Sequence, residues 1–325
     1  MDEPERIEGA GRSGPDAARG SAMPHPVPAD AGPVGPTLPR AALVRLVRRA
    51  LAEDAPGGDL SAALLPPGTA VTAALRAREA GVFAGGRALV ETFRQVDPDT
   101  RVTGLAPDGT VFEPAHTLAV VRGRAAAVLT AERVALNLVQ RLSGTATLTR
   151  RFVDAVACTR ARIVDTRKTT PGLRMLQREA VRAGGGRNHR TGLSDAVMLK
   201  DNHLAALGVA GPEDAAGLTR AVRAARERLG HTVHLEVEVD RLDQVEPVVA
   251  GGADSILLDN MTPAELRRAV AIVAGRAITE ASGGVDLDRV AAIAGSGVDL
   301  ISVGRLTHGA PALDLGLDVI ATGPA

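Results

Sequence analysis

The stretch LEVEVDRLDQVEPVVAGGADSILLDN, residues 235–260, decides the fold. Leu235–Val239 is rich in Val and Leu and ends in the acidic Asp240. Leu242–Ala250 then places apolar residues at helical spacing, and Ser255–Leu258 is a second apolar run ending in Asp259-Asn260. Strand, polar tip, helix, strand, polar tip is the pattern of a parallel β/α unit. The same pattern recurs on both sides. Strands are predicted at Arg162–Asp165, Ala196–Leu199, Ala277–Glu280 and Asp299–Val303, and helices at Pro212–Leu229, Pro263–Ala274 and Leu287–Ala294. Six strands in the C-terminal half predict a barrel short of the usual eight.

Before this region the pattern differs. Val71 to about Thr130 alternates apolar and polar residues, as in Val71, Ala73, Leu75 and Ala77, and predicts a small sheet-rich unit with one or two helices. An amphipathic helix over Ala41–Ala52 precedes it, with Leu43, Leu46, Val47 and Leu51 on one face. Thr130 is expected to cap a long helix with Glu132 in its first turn. That helix carries an apolar stripe of Val134, Leu138 and Leu142 beside a polar one of Arg133, Asn137 and Arg141. Eight of the 20 prolines fall before residue 40, among almost no large apolar side chains, so that stretch cannot bury a core and reads as a disordered leader. Gly9-Ala-Gly-Arg-Ser-Gly14 matches the dinucleotide-binding spacing, but no strand precedes it and no helix follows, so it carries no weight. The expected organisation is a leader over 1–37, an α/β unit over 38–130 that can also receive 306–325, and the barrel over 131–305.

Composition removes several function classes. The formal net charge is zero, which gives no global attraction to nucleic acid or acidic membranes. No apolar run reaches the length of a membrane span, and the N-terminus lacks the pattern of a signal peptide, so a cytoplasmic protein is expected. The one cysteine, Cys158, excludes an intrachain disulfide or a thiolate metal cage and is expected as a buried, inert thiol on a helix. A sharper signal is the lysine count. Lys168 and Lys200 are the only lysines among 38 basic residues, and the rest are arginine. Where the chain so disfavours lysine, the two present are candidates for contacts that need a compact ammonium rather than a planar fork.

Both lysines fall on predicted strand tips. The tips are Asp165-Thr166-Arg167-Lys168, Lys200-Asp201-Asn202-His203, Glu238-Val239-Asp240, Asp259-Asn260, Glu280-Ala281-Ser282-Gly283-Gly284 and Ser302-Val303-Gly304-Arg305. In a β/α barrel these ends share the face that carries the chemistry. Arg167, Lys168, Arg174, His189, Arg190, Lys200 and His203 make a dense cationic set, to which Arg133 can be added. Such a set is stable only around a highly charged anion. Glu236, Glu238 and Asp259 supply carboxylates suited to Mg²⁺ or ribose hydroxyls. Glycines 283, 284 and 304 let backbone N–H groups approach a phosphate. The inventory implies two anionic substrates, one phosphorylated, with metal assistance.

These residues resemble the quinolinate phosphoribosyltransferase family. The resemblance is carried by Asp165-Thr-Arg-Lys-Thr-Thr-Pro-Gly-Leu-Arg174, Gly184-Gly-Gly-Arg-Asn-His-Arg190, Leu199-Lys-Asp-Asn-His203, Leu235-Glu-Val-Glu-Val-Asp240, Leu258-Asp-Asn260, Glu280-Ala-Ser-Gly-Gly284 and Ser302-Val-Gly-Arg-Leu-Thr-His308. It runs from about Arg40 to Val319. The resemblance implies an N-terminal α/β open-faced sandwich, a C-terminal incomplete β/α barrel of six to seven strands, and a homodimer with shared active sites. It implies conversion of quinolinate and phosphoribosyl diphosphate to nicotinate mononucleotide, CO₂ and diphosphate, with Lys168, Lys200, Glu238 and Asp259 as catalytic residues. Arg133, Thr166, Arg167, Lys168, His189, Arg190 and Lys200 would hold quinolinate, Arg133 from the partner subunit. Glu238 and Asp259 would face the ribose and the Mg²⁺ of the diphosphate, and Ser282, Gly283, Gly284, Ser302 and Gly304 the 5′-phosphate. His203 and Asn202 are alternatively placed to orient Lys200. Other readings are a paralogue linked to molybdate transport and a non-catalytic ligand sensor. Arg178-Glu-Ala-Val181 departs from the family's usual Lys-Tyr-Ala-Val, which puts any contact needing an ammonium there in doubt. Gly309 and Gly316 stand where the family often has serine, with little consequence expected.

Overall fold

The computed structural model describes residues 35–324. The leader expected over residues 1–37, and the glycine pattern within it, lie outside the described residues up to residue 34. From Gly35 the chain runs past Arg182, whose guanidinium donates to the Pro36 carbonyl at 3.0 Å, and Leu38 is already buried.

The first part begins with α1 (Arg40–Asp54), then β1 (Thr69–Ala77), β2 (Gly81–Val82), α2 (Gly86–Val96), β3 (Arg101–Thr103), β4 (Val111–Phe112) and β5 (Thr117–Arg124). β1 and β5 pair antiparallel, with β3 on the far edge of β5. Three of the four phenylalanines, Phe83, Phe93 and Phe112, are fully buried beneath this sheet with Leu75, Leu89 and Leu118. Each such side chain stabilises the fold by roughly 1.5–3 kcal/mol relative to exposure.

α3 (Ala125–Ala155) follows without a break. At 31 residues it is about 46 Å long. Val128, Ala135 and Val139 belong to the first core, and Phe152 to the barrel core. The expected cap at Thr130 is corrected here. Ala125-Ala-Ala and Leu129 are strong helix formers that let the helix start six residues earlier, at the end of β5. Thr130 and Glu132 are therefore interior residues, and the Thr130 hydroxyl donates to Asp59 at 2.8 Å. Cys158 is likewise corrected. The helix ends at Ala155, and the thiol sits exposed in the turn beyond it.

The second part alternates strands and helices. It comprises β6 (Arg162–Val164), α4 (Arg174–Ala183), β7 (Ala196–Leu199), α5 (Asp201–Ala206), α6 (Ala215–Arg228), β8 (His234–Val239), α7 (Val245–Gly251), β9 (Ser255–Asp259), α8 (Pro263–Val273), β10 (Ile278–Ser282), α9 (Val290–Ala294), β11 (Leu300–Ser302) and α10 (Arg305–His308). A final strand, β12 (Leu315–Pro324), returns to pair antiparallel with the free edge of β1.

The six barrel strands are all parallel, in the order β6-β11-β10-β9-β8-β7. β6 and β7 are its edges, so the sheet is open, an α/β barrel of six strands. Strand alternation then fixes the two faces. Ile163, Val237, Ile256, Leu258, Ala281 and Ile301 point outward into one core with Val222, Val248, Leu266 and Ile293 of the surrounding helices. The alternate residues point inward in layers. Ala196, His234, Ser255, Ile278 and Leu300 begin their strands at the lower mouth, whereas Lys200, Glu238, Asp259 and Ser282 stand at the upper mouth.

Candidate active site

A cavity of about 650 Å³ opens at the carboxyl ends of the strands. It is lined by Thr166, Arg167, Lys168, His189, Arg190, Met198, Lys200, Glu238, Leu257, Asp259, Asn260, Glu280, Ser282, Gly283, Gly284 and Ser302. Twelve of the expected site residues thus share one cavity. Gly304 stands beside it. A Cβ there would come 3.1 Å from Cδ of Lys168, a tight contact that would push on that side chain. Arg133 and Asn137 are exposed on α3, and Arg133 is not part of this lining. Arg174 points away, donating to the Thr169 hydroxyl at 3.0 Å and the Thr191 carbonyl at 3.1 Å. Met198 and Leu257 are apolar wall residues that sequence reading missed, although the period-2 spacing from Lys200 and Asp259 marks them as inward-facing.

The charges are arranged for anions on one side and for polar ligands on the other. Burial and then the like charge of Arg167 lower the pKa of Arg190, so these two guanidiniums face a common space that favours an anion. Lys200 Nζ forms an ion pair with Glu238, its neighbour at the end of the adjacent strand β8. Its backbone N–H donates to Nδ1 of His203 at 3.2 Å, which places His203 under the lysine's backbone rather than at its ammonium. At the other side Asn260, with φ 55°, and Gly283, with φ 91°, form a tight double turn. Asn260 N–H donates to Ser282 O at 2.9 Å, and a Cβ on Gly283 would lie 2.2 Å from Asn260 Oδ1. Gly283 and Gly284 both have positive φ, a backbone that favours glycine and lets a ligand come close.

Arg178 is explained by its surroundings. It is buried and donates to Asp165 at 3.2 Å, to the His189 carbonyl at 2.6 Å and to the Arg190 carbonyl at 3.4 Å. Asp165 in turn accepts from His189 N–H at 2.7 Å and from Asn188 at 2.6 Å. The broad fork therefore fixes the loop that presents His189 and Arg190, a task a single ammonium does less completely.

His189 lies deeper. Its Nε2 is 3.0 Å from Glu236 and 3.5 Å from Glu280, both buried on adjoining inward layers. Burial lowers the imidazole pKa, but hydrogen bonds to Glu236 and Glu280 outweigh it and push it up to about 10. Nδ1, however, accepts from Arg190 N–H at 2.7 Å, which a protonated Nδ1 cannot do. The extra proton thus belongs to the cluster rather than to the ring. Burial pushes the Glu280 carboxyl up as well.

Comparison with known proteins agrees with this arrangement. The quinolinate phosphoribosyl transferase N-terminal domain matches residues 59–143, and its C-terminal domain matches residues 145–318. A probable nicotinate-nucleotide pyrophosphorylase (carboxylating) of Bacillus subtilis is 41% identical over 277 residues, covering 85% of this chain and 93% of that protein. The nicotinate-nucleotide pyrophosphorylase (carboxylating) of Mycobacterium leprae is 44% identical, covering 84% and 95%. The solved nicotinate-nucleotide pyrophosphorylase of Francisella tularensis superposes with a TM-score of 0.81 at 38% identity, covering 87% of this chain and 98% of that one. With both domain signatures in order and the strand-tip residues gathered in one cavity, the chain belongs to the quinolinate phosphoribosyltransferase family.

Proposed function

We propose that this chain transfers the phosphoribosyl group of phosphoribosyl diphosphate to quinolinate and decarboxylates the product to nicotinate mononucleotide, a step of NAD biosynthesis. The observation that carries the reading is the division of one cavity into a basic side and an acid-and-glycine side. Arg167, Lys168, His189, Arg190 and Lys200 match a dicarboxylate. Ser282, Gly283, Gly284, Ser302 and Gly304 match a 5′-phosphate. Glu238 and Asp259, on the adjacent strands β8 and β9, match ribose hydroxyls. Mg²⁺ enters as part of the diphosphate substrate, and the hard carboxylate oxygens of these two residues suit it.

Ribosyl transfer passes through an oxocarbenium-like state as diphosphate leaves. The protein's contribution is therefore positioning and electrostatics. The Lys200–Glu238 pair joins the two substrate sides, so each substrate's charge is met by the partner of the other's ligand. Once the ring nitrogen is alkylated, it stabilises the electron pair left when the adjacent carboxylate departs as CO₂. Arg133 is proposed to complete the site of a second copy in a homodimer. Its exposure on α3, outside its own cavity, supports this. Among the described residues no helix is long and apolar enough to cross a membrane.

The test is spectrophotometric. Quinolinate absorbance should fall only when phosphoribosyl diphosphate and Mg²⁺ are both present, with diphosphate appearing in equal amount. An unchanged spectrum with folded protein at high concentration would refute the reading.

A further inference from the structure

The strands β6 and β11 are parallel neighbours, so their two tips stand side by side at the upper mouth. One tip carries Lys168, and the other carries Ser302 and Gly304. Behind them lies a buried polar cluster that does not line the cavity. The Thr307 hydroxyl donates to the Lys168 carbonyl at 2.7 Å, with the Gly304 carbonyl of its own turn 3.3 Å away. Gln177 of α4 joins the same two segments. Its Oε1 accepts from Thr170 N–H at 2.8 Å, and its Nε2 donates to the Thr307 carbonyl at 2.8 Å. Arg141 of α3 donates to that carbonyl too, at 3.1 Å. Gln177 and Thr307 are fully buried. Burying an amide and a hydroxyl incurs a desolvation cost that apolar residues of the same size would avoid, so packing alone does not call for them. The orientation of the amide is fixed, because the opposite one would set its NH₂ against an N–H and its oxygen against a carbonyl. The helix α10, with four residues, is too short to hold itself, and its place depends on these contacts.

Resting on the proposed function, we infer that Gln177 and Thr307 are positioning residues that lock the tip of β6 to the tip of β11. The lock sets the spacing between quinolinate at Lys168 and the 5′-phosphate at Ser302 and Gly304. Ribosyl transfer needs the ring nitrogen and the ribosyl carbon in line, about 3–3.5 Å apart. A lock between the two tips therefore acts where both substrates must be in register, and little on the binding of either alone. The next residue on α4, Arg178, holds the loop of His189 and Arg190. One turn of α4 thus supports both basic segments of the site. The Thr307 hydroxyl is the critical atom, because it alone of the cluster's side-chain atoms bonds to the backbone of Lys168.

The experiment is steady-state kinetics in both substrates, with thermal melting, for wild-type protein, Thr307→Val, Thr307→Ser, Gln177→Met and the Gln177→Met, Thr307→Val double variant. A shift of about 1 Å costs on the order of a hundredfold in rate, and a tip that keeps part of its support should shift less, so kcat should fall about tenfold in Thr307→Val and Gln177→Met. The support that remains is the bond from Lys168 N–H to the Thr166 hydroxyl, at 3.1 Å. KM for either substrate should change by no more than about threefold, the pattern of a lost alignment rather than a lost binding contact. Thr307→Ser keeps the hydroxyl and should restore most of the rate. The double variant should be no slower than the slower single one, as for two parts of one lock. A lowered melting temperature with wild-type kcat in Thr307→Val would show a structural role only and overturn the lock. So would equal slowing in Thr307→Val and Thr307→Ser, or a raised KM at unchanged kcat. If Gln177→Met does not fold, the valine and serine variants still decide. Wild-type protein that releases no diphosphate would instead defeat the functional reading, and the lock's role with it.

Discussion

Lys168 and Lys200 both line the cavity, in a chain whose every other cation besides histidine is arginine. Lys168→Arg and Lys200→Arg keep the charge and follow the chain's own preference. As ordinary surface cations they would tolerate the change with almost no cost. Held between Glu238 and an incoming carboxylate, or threaded past Gly304, the wider fork displaces the substrate. A displacement of about 1 Å costs on the order of a hundredfold in rate. Steady-state kinetics should therefore show that loss in kcat/KM for quinolinate, with thermal melting unchanged. The His189 cluster gives a second residue-scale expectation. His189 lies above its ordinary 6.5, up to about 10, and Glu280 is raised too. Groups raised on folding contribute stability that is complete below their unfolded values and is lost as pH rises through their folded ones. The melting temperature should fall between pH 7 and pH 10, and the fall should flatten in the His189→Gln, Glu280→Gln double variant. A melting curve equally steep in both would contradict the shared proton. The two lysines were legible because rarity marked them. The working depth of Glu236 and Glu280 was not, because inward and outward positions of a strand differ only in phase, and the sequence does not show which carboxylates meet one imidazole.

At the scale of elements, α3 is the piece on which both cores depend, and Gly144 is its tightest point. A Cβ at Gly144 would lie 1.9 Å from the Pro311 carbonyl, where the segment leading to β12 crosses the helix. Backbone cannot swing aside as a flexible side chain does. Gly144→Ala should therefore destabilise the fold by about 2 kcal/mol or more, although alanine is the better helix former. Chemical denaturation measures it, and a stabilised variant would contradict the crossing. All six barrel strands were readable from periodicity, with no end displaced by more than two residues. The start of α3 was not, because a threonine before an acidic residue has the form of a cap wherever it occurs. The helices α4, α5 and α10 escaped reading; α5 and α10, of six and four residues, are too short to show a period. The pairing of β12 with β1 is a long-range contact that no local pattern encodes.

For the whole molecule, the exposed Arg133 offers a test of assembly. Arg133→Ala and Lys168→Ala proteins, each inactive alone, should regain activity when mixed into verified heterodimers, because one wild-type site is then rebuilt from two chains. No regained activity would count against a shared site. The fold by itself does not choose the substrate. One fold hosts many activities, and function lives in the residues of its site. Under the proposed function the choice falls to Arg167, Lys168, His189, Arg190 and Lys200, which are too many cations for one carboxylate. The most direct measurement is a comparison of quinolinate labelled in its 2-carboxylate with nicotinate, each supplied with phosphoribosyl diphosphate and Mg²⁺. Expected is one labelled CO₂ for every diphosphate released from the quinolinate reaction, and no diphosphate with nicotinate. Diphosphate released with nicotinate at a comparable rate, or from quinolinate without labelled CO₂, would contradict it.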